Sequence, residues 1–252
     1  MSRKTTGSPG RKTGTAPTAR AGANSSRKQA SKAAKAMAQP RFSTNLKVTV
    51  GLLAVVLVGL TALLVYVQRG TTGDAERILR ADSHRLSTAA DGRVTLVEFL
   101  DYECPACAQA FPGVEQLRAE YDGQITYVVR NFPLPNHRNA ENAARAAEAA
   151  ARQDKFEEMY VALFENQAAW GGQQQDQSAL FEGYAQEIGL DLARYRTDLT
   201  DPALTDRINR DKSDGSAAGV GGTPTFFLNG ERFDGEPTYA GLKAAVDAAL
   251  AG

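Results

Sequence analysis

One uninterrupted apolar run dominates the pattern near the N-terminus. Residues 48–67 contain no charged side chain and consist mostly of Val, Leu, Ala and Gly. Twenty such residues, at about 1.5 Å each along a helix, match the ~30 Å hydrocarbon core of a bilayer. A buried core helix would fit the composition, but such helices rarely run this long without a polar face. The pattern therefore predicts a transmembrane helix, with Tyr66 at its interfacial end.

Beyond this run, short segments alternate between strand and helix character. Residues 94–100 are rich in β-formers and follow Asp91-Gly92, which predicts a buried strand. A second strand is predicted over 124–130, and a helix that ends near Tyr121 separates the two. A strand, a helix and a strand joined by short loops predict a βαβ unit with parallel strands.

A helical block separates these strands from a second strand pair. Helical periodicity continues through about 138–218, in the segments 140–152, 154–167, 177–188, 191–199 and one that begins near Pro202. Residues 225–228 and 231–234 then flank Asn229-Gly230, which predicts a type I′ hairpin turn. A last helix begins at Thr238, a residue suited to the N-cap. This order predicts an α/β domain with a central mixed sheet and a helical insertion.

Charge is distributed unevenly along the chain. Residues 1–47 carry eleven Lys or Arg, no Asp or Glu, and few large apolar side chains. Such a segment buries too little surface to offset its chain entropy, so we expect a disordered basic cytoplasmic tail. It lacks the aromatic interleaving and the folds of nucleic-acid binders, which favours contact with an anionic membrane surface over contact with nucleic acid.

The charges on either side of the apolar run predict its orientation. Lys and Arg crowd the N-terminal side, whereas residues 68–252 hold eighteen basic and twenty-nine acidic residues, a net charge of −11. The positive-inside rule puts the N-terminus in the cytoplasm and the remainder outside the cell membrane. A cleaved signal peptide is the alternative, but the run is long and no small-x-small cleavage site follows it. We expect a single-pass, uncleaved signal anchor over 48–67, a linker over 68–92 and one domain over 93–252.

The chain contains two cysteines, and they lie in the sequence Cys104-Pro105-Ala106-Cys107. Cysteines this close together enclose no long loop, so they gain little as a structural staple. The pair follows a predicted strand and opens a predicted helix, which is the arrangement of a redox-active dithiol. Outside the membrane, where the environment is oxidising, dithiol–disulfide chemistry is useful.

Helix position predicts different roles for the two sulfurs. Backbone N–H groups and the dipole at a helix N-terminus stabilise a thiolate, so an exposed Cys104 is expected to attack. Cys107, one turn inside, is expected to resolve the mixed disulfide. The Pro105-Ala106 dipeptide offers no cationic side chain, and Asp101 and Glu103 place negative charge nearby. We therefore expect a lowered pKa for Cys104, although not an extreme one.

The predicted domain resembles the DsbA-like branch of the thioredoxin superfamily over roughly residues 90–250. In that family a strand precedes Cys-x-x-Cys, a helical block interrupts the thioredoxin core, and a cis-proline loop faces the disulfide. The run Gly221-Gly222-Thr223-Pro224-Thr225-Phe226 is similar to that loop, and residues 132–137 resemble the stretch after the family's second strand. The match departs at the dipeptide, where many of the oxidases carry Pro-His and this chain has Pro-Ala.

The resemblance implies roles for five residues. Cys104 and Cys107 would form the redox-active pair, with Thr223 and a cis Pro224 opposite them. Glu98, six residues before Cys104, matches the family's buried acid, which is thought to move protons to and from the resolving cysteine. No cofactor is implied beyond the redox-active Cys104–Cys107 disulfide.

The leading hypothesis is a membrane-anchored thiol–disulfide oxidoreductase whose substrates are exported, cysteine-containing proteins. An oxidase fits best, and the family then implies a membrane redox partner that reoxidises the dithiol. The Pro-Ala dipeptide leaves open an exported thiol reductase, for example in cytochrome maturation.

Two other classes of function compete with redox chemistry. A lone Cys-x-x-Cys is half of a four-ligand zinc site, but His84 and His137 lie outside the usual finger spacing. A thioredoxin-fold interaction module with an inert disulfide is the other, because a fold does not prove an activity. An intact pair together with a Thr-Pro loop argues against it. We expect His84 to be an exposed linker residue, and His137 and Trp170 to be structural.

Overall fold

A long helix opens the part of the chain that the computed structural model describes, residues 44–252. Helix α1 spans Thr44–Ile78. Its most apolar stretch, Val48–Val65, has a mean hydropathy of 2.7 and is not buried against other residues. By length and composition this stretch suffices to cross a membrane. The predicted tail of residues 1–47 lies outside the described residues apart from 44–47, which are helical and begin α1.

Residues 64–252 form a separate unit around a mixed sheet. The strands described are β1 (His84–Ser87), β2 (Thr95–Leu100), β3 (Thr126–Asn131), β4 (Thr225–Leu228) and β5 (Glu231–Arg232). Their order across the sheet is β1-β3-β2-β4-β5. Strands β2 and β3 are parallel, and the other neighbouring pairs are antiparallel. The predicted central mixed sheet and its parallel βαβ unit are therefore confirmed.

The helices lie where the periodicity predicted them, with small shifts at their ends. They are α2 (Pro105–Glu120), α3 (Ala140–Ala151), α4 (Phe156–Glu165), α5 (Gln167–Trp170), α6 (Ser178–Glu187), α7 (Leu192–Leu199), α8 (Pro202–Ala217) and α9 (Tyr239–Ala251). Helices α3 to α8 form the helical insertion between β3 and β4. The hairpin turn at Asn229 and Gly230 has φ values of 52° and 86°, and type I′ requires φ to be positive at both positions.

Strand β1 corrects the prediction of a linker over 68–92. Helix α1 continues through the first part of this segment, and β1 pairs antiparallel with β3, with His84 opposite Val129. The sequence His-Arg-Leu-Ser contains one apolar residue, so pairing with the edge of β3, and not its own pattern, determines the strand. His84, expected to be exposed, is half-buried, and its ring stacks on Phe156 at a centroid distance of 3.7 Å.

Alternation along β2 divides the core between the two faces of the sheet. Leu96 and Leu100 pack with α2, α9 and the helical insertion, whereas Val97 and Phe99 pack in a smaller cluster on the opposite face. Glu98 shares the face of Leu96 and Leu100. The strand therefore directs a carboxyl group towards the helix that carries the cysteines.

Candidate active site

The cysteine pair lies at the junction between β2 and α2. The chain leaves β2 at Leu100, turns, and begins α2 at Pro105, whose missing N–H costs nothing in the first helical turn. Cys104 is the N-cap residue and Cys107 lies within the first turn. Both are free thiols. The exposed fraction is 6% for Cys104 and 1% for Cys107, so Cys104 is less exposed than predicted but is still the more accessible of the two.

The pKa of Cys104 is lowered to about 5. The largest cause is the hydrogen bond with the Cys107 thiol, and burial acts in the opposite direction. The side chain of Thr223 and the backbone N–H groups of Cys107 and Ala106 also favour the thiolate. These N–H groups belong to the first helical turn, where amides lack partners within the helix and the dipole favours negative charge. Cys104 is therefore ionised at neutral pH.

The pKa of Cys107 is shifted in the opposite direction, well above its ordinary value. Burial is the largest cause, followed by the hydrogen bond to Cys104 and by the nearby negative charge of Glu98. The site thus holds a thiolate next to a protonated thiol. Because the disulfide forms only when Cys107 gives up its proton, the site needs a group that accepts one.

Asp101 has hydrogen-bond partners of its own at the active-site turn. Its carboxylate accepts hydrogen bonds from the backbone N–H groups of Glu103 and Leu134, both at 2.8 Å, and lies 2.6 Å from Nδ1 of His137. The pKa shift of Cys104 has other principal causes. Asp101 instead ties the active-site turn to the segment after β3, and His137 takes part in this structural contact.

Glu103 joins the same turn to the helical insertion. It is 3% exposed, and it accepts hydrogen bonds from the backbone N–H groups of Asn139 at 2.5 Å and Gly172 at 3.1 Å. Both donors precede or follow helices of the insertion. A buried carboxylate with two amide donors is well satisfied, so Glu103 holds the turn in place.

Gln167, in α5, is a site residue that the sequence did not indicate. Its Nε2 donates to the carbonyl groups of Tyr102 at 2.8 Å and Cys104 at 2.9 Å. Gln167 lies 63 positions from Cys104, within an insertion whose pattern indicates only helices. Only the three-dimensional packing of α5 against the turn reveals this contact.

The loop before β4 faces the sulfur of Cys104. Sγ of Cys104 lies 3.3 Å from the carbonyl oxygen of Thr223, to which it can donate only when it is protonated, and the Thr223–Pro224 peptide bond is cis, as predicted. The hydroxyl of Thr225, the first residue of β4, donates to the carbonyl of Gly222 at 2.7 Å and closes the turn. The structure therefore brings the predicted Thr-Pro loop to the cysteine pair.

Glu98 is buried beneath the pair, as the resemblance implied. It is 3% exposed and accepts a hydrogen bond from the hydroxyl of Tyr127. Burial is the main cause that raises its pKa to about 8, against which the Tyr127 hydrogen bond acts. Because Glu98 also influences the pKa of Cys107, the carboxyl and the buried thiol are electrostatically coupled. Glu98 is thus suited to exchange a proton near neutral pH.

Trp170 is a core residue, as predicted. Its ring is fully buried and meets Phe181 edge to face at a centroid distance of 4.8 Å. Its Nε1 donates to the carbonyl oxygen of Leu163 at 3.1 Å. The apolar surface of the indole is therefore buried within the insertion, and its one N–H donor is hydrogen-bonded there.

Known proteins resemble this chain in both sequence and structure. A family model described as thioredoxin matches residues 87–248. A solved thioredoxin-like oxidoreductase from Silicibacter pomeroyi DSS-3 is 29% identical with a TM-score of 0.60, over 70% of this chain and 98% of that chain. The thiol-disulfide exchange protein alpha-DsbA2 from Wolbachia pipientis is 25% identical with a TM-score of 0.58, over 72% and 97% of the two chains.

Curated relatives of similar sequence are much longer proteins. Na(+)/H(+) antiporter NhaA of Herminiimonas arsenicoxydans is 39% identical over 162 residues, and NhaA 1 of Salinispora arenicola (strain CNS-205) is 42% identical over 160. The alignments cover 64% and 63% of this chain but only 25% and 24% of the antiporters. The chain thus spans about a quarter of the length of these relatives, and the aligned length is comparable to that of the thioredoxin match at 87–248.

Proposed function

The chain belongs to the thioredoxin family, and from this membership we propose that it is a membrane-anchored thiol–disulfide oxidase of exported proteins. The observation that carries the proposal is the opposite shift of the two thiol pKa values, down to about 5 at Cys104 and upward at Cys107. A stabilised thiolate at the accessible sulfur and a protonated thiol at the buried one suit dithiol exchange. The DsbA-like fold of the structural neighbours supports the same chemistry.

The proposed reaction is a two-step exchange. A substrate thiolate attacks Sγ of Cys104 in the oxidised protein, a substrate–Cys104 disulfide forms, and the Cys104–Cys107 bond breaks. The electron pair leaves on Cys107, which takes up a proton. A second substrate thiolate then attacks the substrate sulfur of the mixed disulfide, and Cys104 leaves as a thiolate. The substrate loses two electrons and the cysteine pair gains them.

The low pKa of Cys104 favours oxidation of the substrate over reduction. A thiol of lower pKa leaves a disulfide faster, and its thiolate stabilises the dithiol form of the protein. At pH 7 a pKa of about 5 stabilises that form by about two powers of ten, which corresponds to a potential up to about 60 mV more oxidising. The absence of a cationic side chain in the Pro105-Ala106 dipeptide does not prevent this, because Cys107, Thr223 and backbone amides supply the stabilisation.

We further propose that residues 48–67 anchor the protein, with its N-terminus in the cytoplasm and its domain outside. Support comes from the exposed apolar stretch of α1 and from the basic residues that precede it. Exported proteins with cysteines would then be the substrates, and a redox partner in the membrane would reoxidise the pair. The antiporter name describes relatives of which the alignment covers only about a quarter, and that activity is not assigned to this chain.

The test uses the full-length chain. Cys107→Ala leaves Cys104 without its resolving thiol, so we expect it to accumulate mixed disulfides with exported proteins, whereas Cys104→Ala and the double variant accumulate none. Absence of mixed disulfides, together with failure of the parent protein to oxidise a reduced, unfolded protein, would overturn the proposal. The reduction potential fixes the direction: a value near about −120 mV supports an oxidase, and one near about −270 mV would instead indicate a reductase.

A further inference from the structure

Glu98 is the inner end of a series of hydrogen-bonding side chains that leads from the cysteine pair to the surface. The Tyr127 hydroxyl bonds to the Glu98 carboxyl, and the Tyr160 hydroxyl donates to Oε1 of Glu115 at 3.2 Å. The two tyrosine hydroxyls also interact with each other, and each influences the pKa of the other. Exposure is 3% for Glu98, 0% for Tyr127 and 1% for Tyr160, but the side chain of Glu115 is 30% exposed.

Four different elements bring these four groups together. Glu98 lies on β2, Tyr127 on the neighbouring β3, Tyr160 on α4 of the insertion, and Glu115 on α2, two turns after the cysteines. Arg118 lies beside the series: its guanidinium is 5.5 Å from the centre of the Tyr127 ring and forms a 2.7 Å salt bridge with Glu115. Apolar and aromatic core residues surround the series, which connects Glu98 with a partly exposed carboxylate.

The number of protons in the series depends on the state of Glu98. A continuous series of four groups needs three hydrogen bonds, and the two tyrosine hydroxyls supply only two protons. When Glu98 is ionised, Tyr127 donates to it, Tyr160 donates to Glu115, and no proton lies between the two hydroxyls. When Glu98 is protonated, its own O–H supplies the third proton, and all the bonds point outward from Glu98 to Tyr127, Tyr160 and Glu115.

We propose that Tyr127 and Tyr160 relay protons between Glu98 and the partly exposed Glu115 while the cysteine pair changes redox state. The inference rests on the proposed function, since it concerns the proton that Cys107 gains or loses in that reaction. Both tyrosines act through Glu98, and each hydroxyl gives up one proton as it receives another, so neither has to ionise.

The step balances in both directions. When the disulfide opens, Cys107 receives the electron pair and takes the proton of Glu98. Glu98 then accepts a proton from Tyr127, Tyr127 accepts one from Tyr160, and Tyr160 accepts one from Glu115, which is protonated from solvent. When the disulfide forms, the same transfers run outward. One proton therefore crosses the core for each S–S bond that opens or closes at Cys107.

The experiment measures resolution of a mixed disulfide with glutathione, which requires no physiological substrate. Reduced full-length protein in detergent micelles is mixed with oxidised glutathione, quenched with acid and analysed by mass spectrometry. The decay of the Cys104–glutathione adduct reports the step in which Cys107 loses its proton. We expect Tyr160→Phe to slow this decay about tenfold or more, because a positioned proton-transfer group contributes on the order of 10²–10⁴ to a rate. The solvent deuterium isotope effect on this decay rate should be larger for Tyr160→Phe than for the parent.

Matched variants separate a relay from a structural role. Tyr195→Phe removes a hydroxyl from another buried tyrosine, and Glu157→Gln removes the other carboxylate that binds Arg118; we expect neither to slow the decay. Glu115→Gln should slow it. Because a relay changes rates and not equilibria, Tyr160→Phe should leave the equilibrium with glutathione unchanged.

The possible outcomes distinguish the relay from the function on which it rests. Decay rates for Tyr160→Phe and Glu115→Gln within twofold of the parent would overturn the relay, and an equally large effect of Tyr195→Phe or Glu157→Gln would do the same. A parent protein that resolves the Cys104–glutathione disulfide but oxidises no reduced protein would instead contradict the proposed oxidase. The decay rates of the variants would still test the relay in that case.

Discussion

The buried carboxyl group of Glu98 lowers the free energy of unfolding by an amount that depends on pH. Its pKa is raised from 4.5 to about 8, mainly by burial, so the native state binds this proton more tightly than the unfolded chain does. The free energy of unfolding therefore falls as pH rises from about 4.5 to about 8 and levels off above that range. At about 1.4 kcal/mol for each pKa unit, the full cost is on the order of 5 kcal/mol. The buried carboxyl group is therefore kept at the expense of stability.

Glu98→Gln should remove this pH dependence, because an amide cannot ionise. We expect the variant to gain several kcal/mol relative to the parent between pH 5 and pH 8. The measurement is urea unfolding of the full-length protein in micelles, followed by the fluorescence of Trp170, the one tryptophan of the chain. The disulfide form is used, since neither sulfur then titrates. If variant and parent differ by the same free energy of unfolding at pH 5 and at pH 8, the raised pKa of Glu98 is contradicted.

Glu148→Gln is the matched control for this prediction. Glu148 is also 3% exposed, and burial, its largest single influence, raises its pKa. The hydrogen bond and charge of His84 and the charge of Arg207 outweigh burial, and the net shift is downward. Its ionised form therefore stabilises the fold at neutral pH, and that stabilisation is lost as pH falls. The two substitutions should change stability with opposite signs at pH 8.

Single residues differ in how well the sequence predicted them. The lowered pKa of Cys104 and the deeper burial of Cys107 were predicted from their place at the start of a helix, and the burial of Glu98 was implied by the family resemblance. The partners of Asp101 and Glu103 in distant segments could not be predicted, because these hydrogen-bond donors lie 33 to 69 positions away. Sequence proximity suggested repulsion of the thiolate, but tertiary contacts decide where a carboxylate points.

Among the helices, α8 is fixed to the sheet by both charge and shape. Arg130 of β3 is fully buried, and it donates to Asp211 and Asp214 of α8, in each case at 2.8 Å. Next to these residues Gly215 brings the helix backbone close to the rings of Phe99 and Phe132. A Cβ atom at position 215 would lie 2.9 Å from both rings, which is closer than such contacts allow.

Gly215→Ala should therefore destabilise the protein, although alanine favours helices. Overpacking of a tight core typically costs about 1–3 kcal/mol. Gly183 provides the control, since it lies within α6 and a Cβ there meets nothing within 4 Å. Gly183→Ala should stabilise by about 0.5–1 kcal/mol. Both variants are compared by the same urea unfolding, and a stabilisation by Gly215→Ala would show that α8 does not need its close approach to the sheet.

The predictability of the elements follows the strength of their own patterns. Helices such as α4 carry a full apolar stripe, and β2 carries a run of β-formers, so both were predicted in the right place. Strand β1 has four residues and little pattern of its own, and it exists because β3 offers it an unpaired edge. The network that includes Glu115 and Tyr160 was equally hidden, since it requires α2 and α4 to meet across the core.

At the scale of the whole molecule, charge is separated along the chain. The first 47 residues have eleven positive and no negative side chains, whereas residues 68–252 have a net charge of −11. The apolar run between these two segments is long enough to cross a bilayer. Composition alone supplied this prediction, because membrane insertion depends on hydrophobicity and flanking charge and not on the fold of the domain. The fold adds that the region of the thioredoxin match, 87–248, lies wholly after the run.

The topology can be tested by reaction with a maleimide that does not cross membranes. The two native cysteines are first replaced by Ala, and one new cysteine is then introduced on each side of the apolar run. Asp234→Cys tests the domain at a side chain that is 88% exposed, and Ser26→Cys tests the basic segment. Because Lys and Arg resist translocation, we expect Asp234→Cys to be labelled in intact spheroplasts and Ser26→Cys only after the membrane is permeabilised. Labelling of Ser26→Cys in intact spheroplasts would contradict this orientation. The domain would then lie in the cytoplasm, where thiols are kept reduced, and the proposed oxidation of exported proteins would be contradicted as well.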